Sequence, residues 1–241
     1  MKKSKVIAQV RKEGRLILTE FESKKFLKQA GIPVNETKLA TTPAEAVSLS
    51  RDLGFPVVLK IVSPEIVHKS DAGGVRLFLK NASEVRAAYR EIIANARKKY
   101  PSASVQGVSV QKMAKPGTEV ILGTSKDPQF GPVIMFGLGG IFVEVLKDVS
   151  FRILPLSRRD ALEMVEEIKG YPLLKGYRGK EPVDLPALIE IILKISRVME
   201  ENPEIKELEL NPIITYPRGA LAVDARMILE EEIRYSRSSL S

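Results

Sequence analysis

"GFPVVLKIVSPEIVHKSDAGGV", residues 54–75, decides how the rest of this chain is read. Its first part, "FPVVLKIV", is an apolar run interrupted only by Lys60, the pattern of a strand buried on both faces. Its last part, the Gly73-Gly74 pair, opens a second strand-like run, "VRLFLK". Between the two lies a polar loop holding His68, the only histidine among 241 residues. A lone imidazole in a loop, eight residues past a lysine that ends a buried strand, asks for a chemical explanation.

On the N-terminal side, "LTEFESKKFLKQAGIPV" predicts a helix capped by Thr19 and stopped at Gly31. A short strand near Val34 to Ala40 follows. Thr42, Pro43 and Gly54 then repeat the cap, first-turn and stop signals of a second helix. On the C-terminal side, "SEVRAAYREIIANARKKY" is an amphipathic helix whose basic end suits its dipole. Three glycine-punctuated strands follow, "SVQGVSVQKM", "GTEVILGTSK" and "GPVIMFGLGG". Two helices come next, "SRRDALEMVEEIKG" and "DLPALIEIILKISRVMEEN", and then two paired strands, "IKELELNPIITY" and "GALAVDAR". Strands in hairpin-like pairs mixed with helices predict two α+β subdomains rather than one doubly wound sheet, with a joint near residues 111–119. The expected division is a basic tail at 1–18, an N-terminal subdomain at 19–113, a C-terminal subdomain at 114–235 and a tail at 236–241.

Composition narrows the chemistry. With no cysteine there is no disulfide framework, thiolate nucleophile or sulfur metal site, and one histidine leaves zinc short of its usual ligands. No apolar stretch approaches the roughly 18 residues of a membrane span, and the start lacks a signal peptide's apolar centre, so the expectation is a cytoplasmic protein. Five Asn, five Gln and 28% charged residues fit a heat-adapted source. Residues 1–15 carry +5 of the net +8, so the body is not a basic, nucleic-acid-like surface. Any phosphate site must be local.

Four groups suggest one nucleotide site, although each alone has a plain structural explanation. Lys60 is either a snorkelling surface lysine or a point charge on phosphates. Gly73 and Gly74 make either a tight hairpin or backbone amides that cradle phosphate oxygens. Backbone groups at Gln111, Lys112 and Met113 suit an adenine edge at the joint, with Glu119 for a ribose, or Glu119 is simply exposed on a strand. Glu209 and Asn211 share one strand face by alternation, and Asp224 follows an adjacent strand. Their oxygens suit Mg²⁺, or they are turn residues at strand ends that Pro212 terminates. Together the four supply positioning, a cation on phosphate and a metal, which is what phosphoryl transfer asks for.

At these residues the sequence resembles the ATP-grasp family, and within it the β subunits of the ADP-forming acyl-CoA (acetyl-CoA) synthetases. The likeness runs from "LTEFESKKFLKQAGIPV" to "ALAVDAR" and is carried by the 54–75 segment, "GTEVILG", "FGLGGIFVEVLKD", "ELELNPI" and "VDAR". A more distant likeness is to the β subunit of succinyl-CoA synthetase.

The resemblance implies an ATP-grasp fold of two α+β subdomains with the nucleotide cleft between them. It further implies ADP/ATP and Mg²⁺ as cofactors and a CoA-binding α subunit as partner, in an α2β2 assembly. In that family a histidine of the α subunit takes a phosphoryl group from an acyl phosphate, and a histidine on a mobile β-subunit loop carries it to ADP. His68 holds the matching position, with Glu209 set to orient the imidazole or to serve as a third metal group. Asn211 and Asp224 are the implied metal ligands; Lys60, Gly73, Gly74, Gln111, Lys112, Met113 and Glu119 the implied nucleotide contacts. The basic tail and Arg152 receive no role, and no GxGxxG dinucleotide motif is present, in keeping with a separate CoA-binding chain. Two other functions remain open at this level: a stand-alone carboxylate-amine ligase, and a non-catalytic nucleotide-sensing module.

Overall fold

The computed structural model describes residues 4–66 and 68–231. In chain order it begins with α1 (Lys5–Lys12), β1 (Ile17–Leu18), α2 (Glu20–Gln29), β2 (Thr37–Ala40), α3 (Pro43–Leu53), β3 (Val57–Val62), β4 (Val75–Leu79), α4 (Ala82–Lys99) and β5 (Gly107–Lys112). There follow β6 (Thr118–Asp127), β7 (Gly131–Leu138), α5 (Ile141–Glu144), β8 (Val149–Ile153), α6 (Arg158–Glu167), α7 (Tyr171–Leu174), α8 (Leu185–Glu201), β9 (Ile205–Thr215), β10 (Ala220–Ala222) and β11 (Ala225–Leu229). Two sheets result. The smaller runs β2-β5-β3-β4 and the larger β1-β11-β9-β6-β7-β8, with β10 on the flank of β9. The ladders among these strands are antiparallel.

Local chemistry explains the boundaries. Thr19 closes a reciprocal capping box with Glu22, and Thr42 accepts from Glu45 N with Pro43 at the first position of α3. Asn81, Ser157 and Asp184 cap α4, α6 and α8 in the same way. β3 is buried at all six positions because helices cover one face of its sheet and the cleft covers the other. The α3 and α4 side chains Val47, Val85 and Ile92 pack with Leu59, Ile61 and Val110 in the smaller core.

The larger sheet buries one face only. Leu122, Phe136, Leu208, Leu210 and Met227 point into a core shared with α2, α6 and α8. The alternate positions on β9, Glu207, Glu209 and Asn211, are half-buried or exposed, and Glu209 and Asn211 line the cleft. The chain passes between sheets in the stretch from Lys112 to Thr118. Among the described residues no helix is long and apolar enough to cross a membrane.

Two expectations need correction. The expected basic tail is structured: α1 buries Val6, Ile7 and Val10 in the larger core, and β1 pairs with β11. Arg15 donates to Glu13, Glu22 and the Ile17 carbonyl, and Arg11 reaches the Glu230 carbonyl. Lys2, Lys3 and the tail at 236–241 lie outside the described residues. Likewise α2, expected in the N-terminal subdomain, sends Phe26 and Leu27 into the larger core, so the smaller unit begins near Thr37. The reason is the apolar stripe of α2, which is complementary to the β9–β11 side of the larger sheet. If α1 is a core element, Val10→Ala lowers the unfolding free energy by about 2 kcal/mol. A solvated arm would give no shift in the urea midpoint.

Candidate active site

α2 carries the organising group of the cleft. Glu20, Ser23, Lys24 and Leu27 recur at helical spacing and are all buried, so a charged pair sits on the inward stripe of this helix. Lys24 Nζ donates to Glu20 Oε1 at 2.7 Å with 2% and 4% of the two side chains exposed. Glu20 Oε1 also accepts from Lys60 Nζ at 2.9 Å and from Gln111 Nε2 at 2.8 Å. Lys69 Nζ reaches Glu20 Oε2 at 2.9 Å, an ion pair without hydrogen-bond geometry. One buried carboxylate therefore faces three ammonium groups. Burial by itself pushes the Glu20 carboxyl up, but the charges of Lys24, Lys60 and Lys69 outweigh it and hold the group well below the ordinary 4.5. Burial pulls the Lys24 ammonium down to about 8 despite its partner.

Asp224 sits in the break between β10 and β11 and extends this network. Lys60 Nζ donates to Asp224 Oδ2 at 2.7 Å, and Lys69 Nζ lies 3.3 Å from Oδ1. Lys60 and Lys69 thus tie the smaller unit to α2 and β11 of the larger. Above them opens a cavity of about 580 Å³ whose walls include Glu20, His68, Lys69, Glu209, Asn211 and Asp224. The His68 side chain is exposed, and among the described residues its imidazole has no hydrogen-bond partner. Asn211 Nδ2 donates to Glu209 Oε1 at 3.2 Å, which leaves the amide oxygen of Asn211 free. Carboxylate and amide oxygens on one open wall fit a hard divalent cation such as Mg²⁺, which completes its shell with water and phosphate.

A second cavity of about 760 Å³ lies at the joint, lined by Asn35, Lys112, Met113, Tyr216 and Leu221 among others. Its mostly apolar walls have room for a flat ring. Met113 itself spends its N–H on the Pro56 carbonyl.

Several sequence expectations change in detail. Gly73 and Gly74 do not offer free amides: their N–H groups donate to the Ser70 and Lys69 carbonyls and close the His68 loop on itself. Their glycine character is steric. Gly73 has φ +63°, and a Cβ on Gly74 would meet Ile61 Cγ2 at 2.5 Å. Gln111 is buried with its backbone paired on both sides, and its side chain bridges Lys24, Asn35 and Glu20 rather than facing a ligand. Glu119 is exposed and lines neither cavity; it packs against Gly139. Pro212 does not end the pairing of β9, which continues to Thr215 beside β6 and β10. Arg152 lies on the edge strand β8 and pairs with Glu167 at 2.7 Å, away from both cavities. Glu20, Lys24 and Lys69 went unassigned in the sequence, although a charged i, i+4 pair in line with Leu27 was a visible signal.

The ATP-grasp domain family matches residues 9–229. The chain is 54% identical over 228 residues to the acetate–CoA ligase (ADP-forming) I subunit beta of Pyrococcus furiosus, covering 95% of this chain and 98% of that one. Two solved structures of the dinucleotide forming acetyl-coenzyme A synthetase 1 of Ca. Korarchaeum cryptofilum are each 50% identical and cover 93% of this chain and 98% of theirs. One, with TM-score 0.87, holds coenzyme A, acetyl-coenzyme A and a phosphorylated phosphohistidine segment in a site I orientation. The other, with TM-score 0.83, holds coenzyme A and Mg-AMPPCP, with its phosphohistidine segment pointing towards the nucleotide binding site. The match spans both sheets and the cleft that His68 faces. This chain belongs to the ATP-grasp family, within the branch that contains the β subunits of ADP-forming acetate–CoA ligases.

Proposed function

We propose that this chain is the nucleotide-binding β subunit of an ADP-forming acyl-CoA synthetase, with His68 as the phosphoryl carrier. The complete reaction is acyl-CoA + ADP + phosphate ⇌ acid + CoA + ATP. A partner α subunit binds CoA and generates the acyl phosphate, and the α2β2 arrangement belongs to this proposal. The observation that carries it is the exposed imidazole of His68, without a partner among the described residues, on the same cavity as Glu209, Asn211 and Asp224.

A neutral imidazole presents a lone pair to phosphorus without prior deprotonation. His68 forms an N–P bond as the donor on the partner side leaves. A β-phosphate oxygen of ADP then attacks phosphorus, the N–P bond breaks, and the imidazole departs neutral. Four carboxylates line the cavity, Glu20, Asp71, Glu209 and Asp224; Glu20 and Asp224 are held by lysines, and Asp71 belongs to the His68 loop itself. Glu209 stands on β9 across from that loop and among the described residues accepts only from Asn211, so it is the group fitted to take the second imidazole N–H and fix the tautomer. Lys60, sealed beneath the cavity on Glu20 and Asp224, offsets phosphate charge at a distance rather than by contact, and Lys112 and Met113 line the cavity proposed for adenine. Gly73 and Gly74 shape the His68 loop. Gln111 acts on the cleft through Glu20, and Glu119, which lines neither cavity, is given no contact in this reading. Mg²⁺, held by Asn211 and Asp224, would supply charge neutralisation between the phosphates.

The test is direct. The chain with its partner, incubated with Mg²⁺ and γ-labelled ATP, takes up an acid-labile, base-stable label that peptide mapping places on His68. Label on no residue, or on another residue, overturns the proposal.

A further inference from the structure

The His68 loop is bonded almost wholly to its own half of the cleft. Ala72, Gly73 and Gly74 N–H groups donate back to loop carbonyls. Asn95 and Lys99 of α4 hold the Gly73 and Asp71 carbonyls, and Arg76 also reaches Gly73. Among the described residues 68–74, a single side chain makes polar contacts across the cleft. That is Lys69, at 2.9 Å from Glu20 Oε2 and 3.3 Å from Asp224 Oδ1, both on the larger unit.

The three lysines around Glu20 are not equivalent. Lys24 and Lys60 are sealed in, with 2% and 8% of their side chains exposed, whereas Lys69 keeps 18%. Lys69 has no well-directed hydrogen bond to Glu20 and only long ones, 3.3 and 3.5 Å, to Asp224, so its hold is chiefly Coulombic. Such a contact is strong enough to bias a loop and tolerates release, since the ammonium can be rehydrated at the cleft mouth. Glu20 keeps its charge because Lys24 and Lys60 remain when Lys69 leaves.

We propose that Lys69 is a positioning residue that latches the His68 loop on the nucleotide side of the cleft. This rests on the phosphohistidine reading above. Lys69 acts through the placement of its neighbour: with the ammonium on Glu20 and Asp224, the imidazole stands on the cavity that Glu209 and Asn211 line. When the ammonium lets go, the loop keeps its internal hydrogen bonds, exchanges those from Asn95, Lys99 and Arg76 for water, and moves as one piece toward the partner side.

The experiment uses the assembled complex and two readouts. Because this chain has no cysteine, Ser70→Cys with Lys206→Cys, labelled before the partner is added, takes a pair of spin labels uniquely and reports the loop-to-sheet distance. Lys69→Met is expected to broaden that distance toward longer values. It slows phosphorylation of His68 by saturating Mg-ATP about tenfold, with little change in the KM for ATP. Transfer to His68 from the partner side keeps at least its wild-type rate, and Lys69→Arg restores both distance and rate. An unchanged distance in Lys69→Met overturns the latch, even with slow labelling, because Lys69 would then act directly on phosphate. If wild type takes no label on His68 the functional reading falls, while the distance comparison still decides the latch.

Discussion

His68→Ala lowers ATP formation by the assembled enzyme by about four orders of magnitude or more, the scale expected when a covalent carrier is removed. Among the described groups lining the cavity, Glu20 and Asp224 are tied to lysines, and Lys69 is held charged: burial pulls its ammonium down, and Glu20 and Asp224 raise it. The imidazole is exposed and bonded to nothing described, so its removal leaves no cavity and no orphaned partner. Stability should therefore move by no more than about 0.5 kcal/mol. Comparison of ATP synthesis with urea midpoints separates the two effects. Wild-type synthesis in this variant eliminates the phosphohistidine route, whereas a large stability loss means that the ring packs where the structure has it free.

The sequence foretold this site better than it foretold the cleft beneath it. Helix starts at Thr19 and Thr42 are legible because a capping hydroxyl and a first-turn acid are local signals. Alternation placed Glu209 and Asn211 on one face because a strand repeats every two residues. What hid was anything set by partners distant in sequence. Gln111 looked like a ligand contact until α2 was brought against it, 91 residues away in sequence from Glu20. The glycine amides looked free until the loop folded onto its own carbonyls. The basic N-terminus read as an arm because its three inward side chains, Val6, Ile7 and Val10, span less than two helical turns and are outnumbered by charge. Lys60 was assigned to phosphate from its place at the end of a buried strand. The structure gives it carboxylate partners, Glu20 and Asp224, in the same position.

Glu20→Ala costs about 3–5 kcal/mol of folding stability, because it strands a buried ammonium rather than deleting a contact. Lys24 would keep only the side-chain amide oxygen Oε1 of Gln111 as an acceptor among the described residues, with 2% of its side chain exposed to water. Lys60 and Lys69 would turn to Asp224 alone. Set against the roughly 5–15 kcal/mol of a typical domain, this loss makes the variant marginal. Replacing both members of the pair, Glu20→Leu with Lys24→Met, removes the stranded charge and should recover most of the loss. A double-mutant cycle on urea midpoints measures the coupling, and additive single effects would show that the pair is not the hub described. Acid gives the same test without mutation. The folded carboxyl binds its proton more weakly than the unfolded chain does, so its contribution is complete above the ordinary value of 4.5 and is lost as pH falls below it. Stability should drop with a steep slope in that range, and the Glu20→Leu/Lys24→Met chain should drop less. Equal acid slopes in the two proteins would place the protons elsewhere and remove Glu20 as the anchor of Lys60 and Lys69.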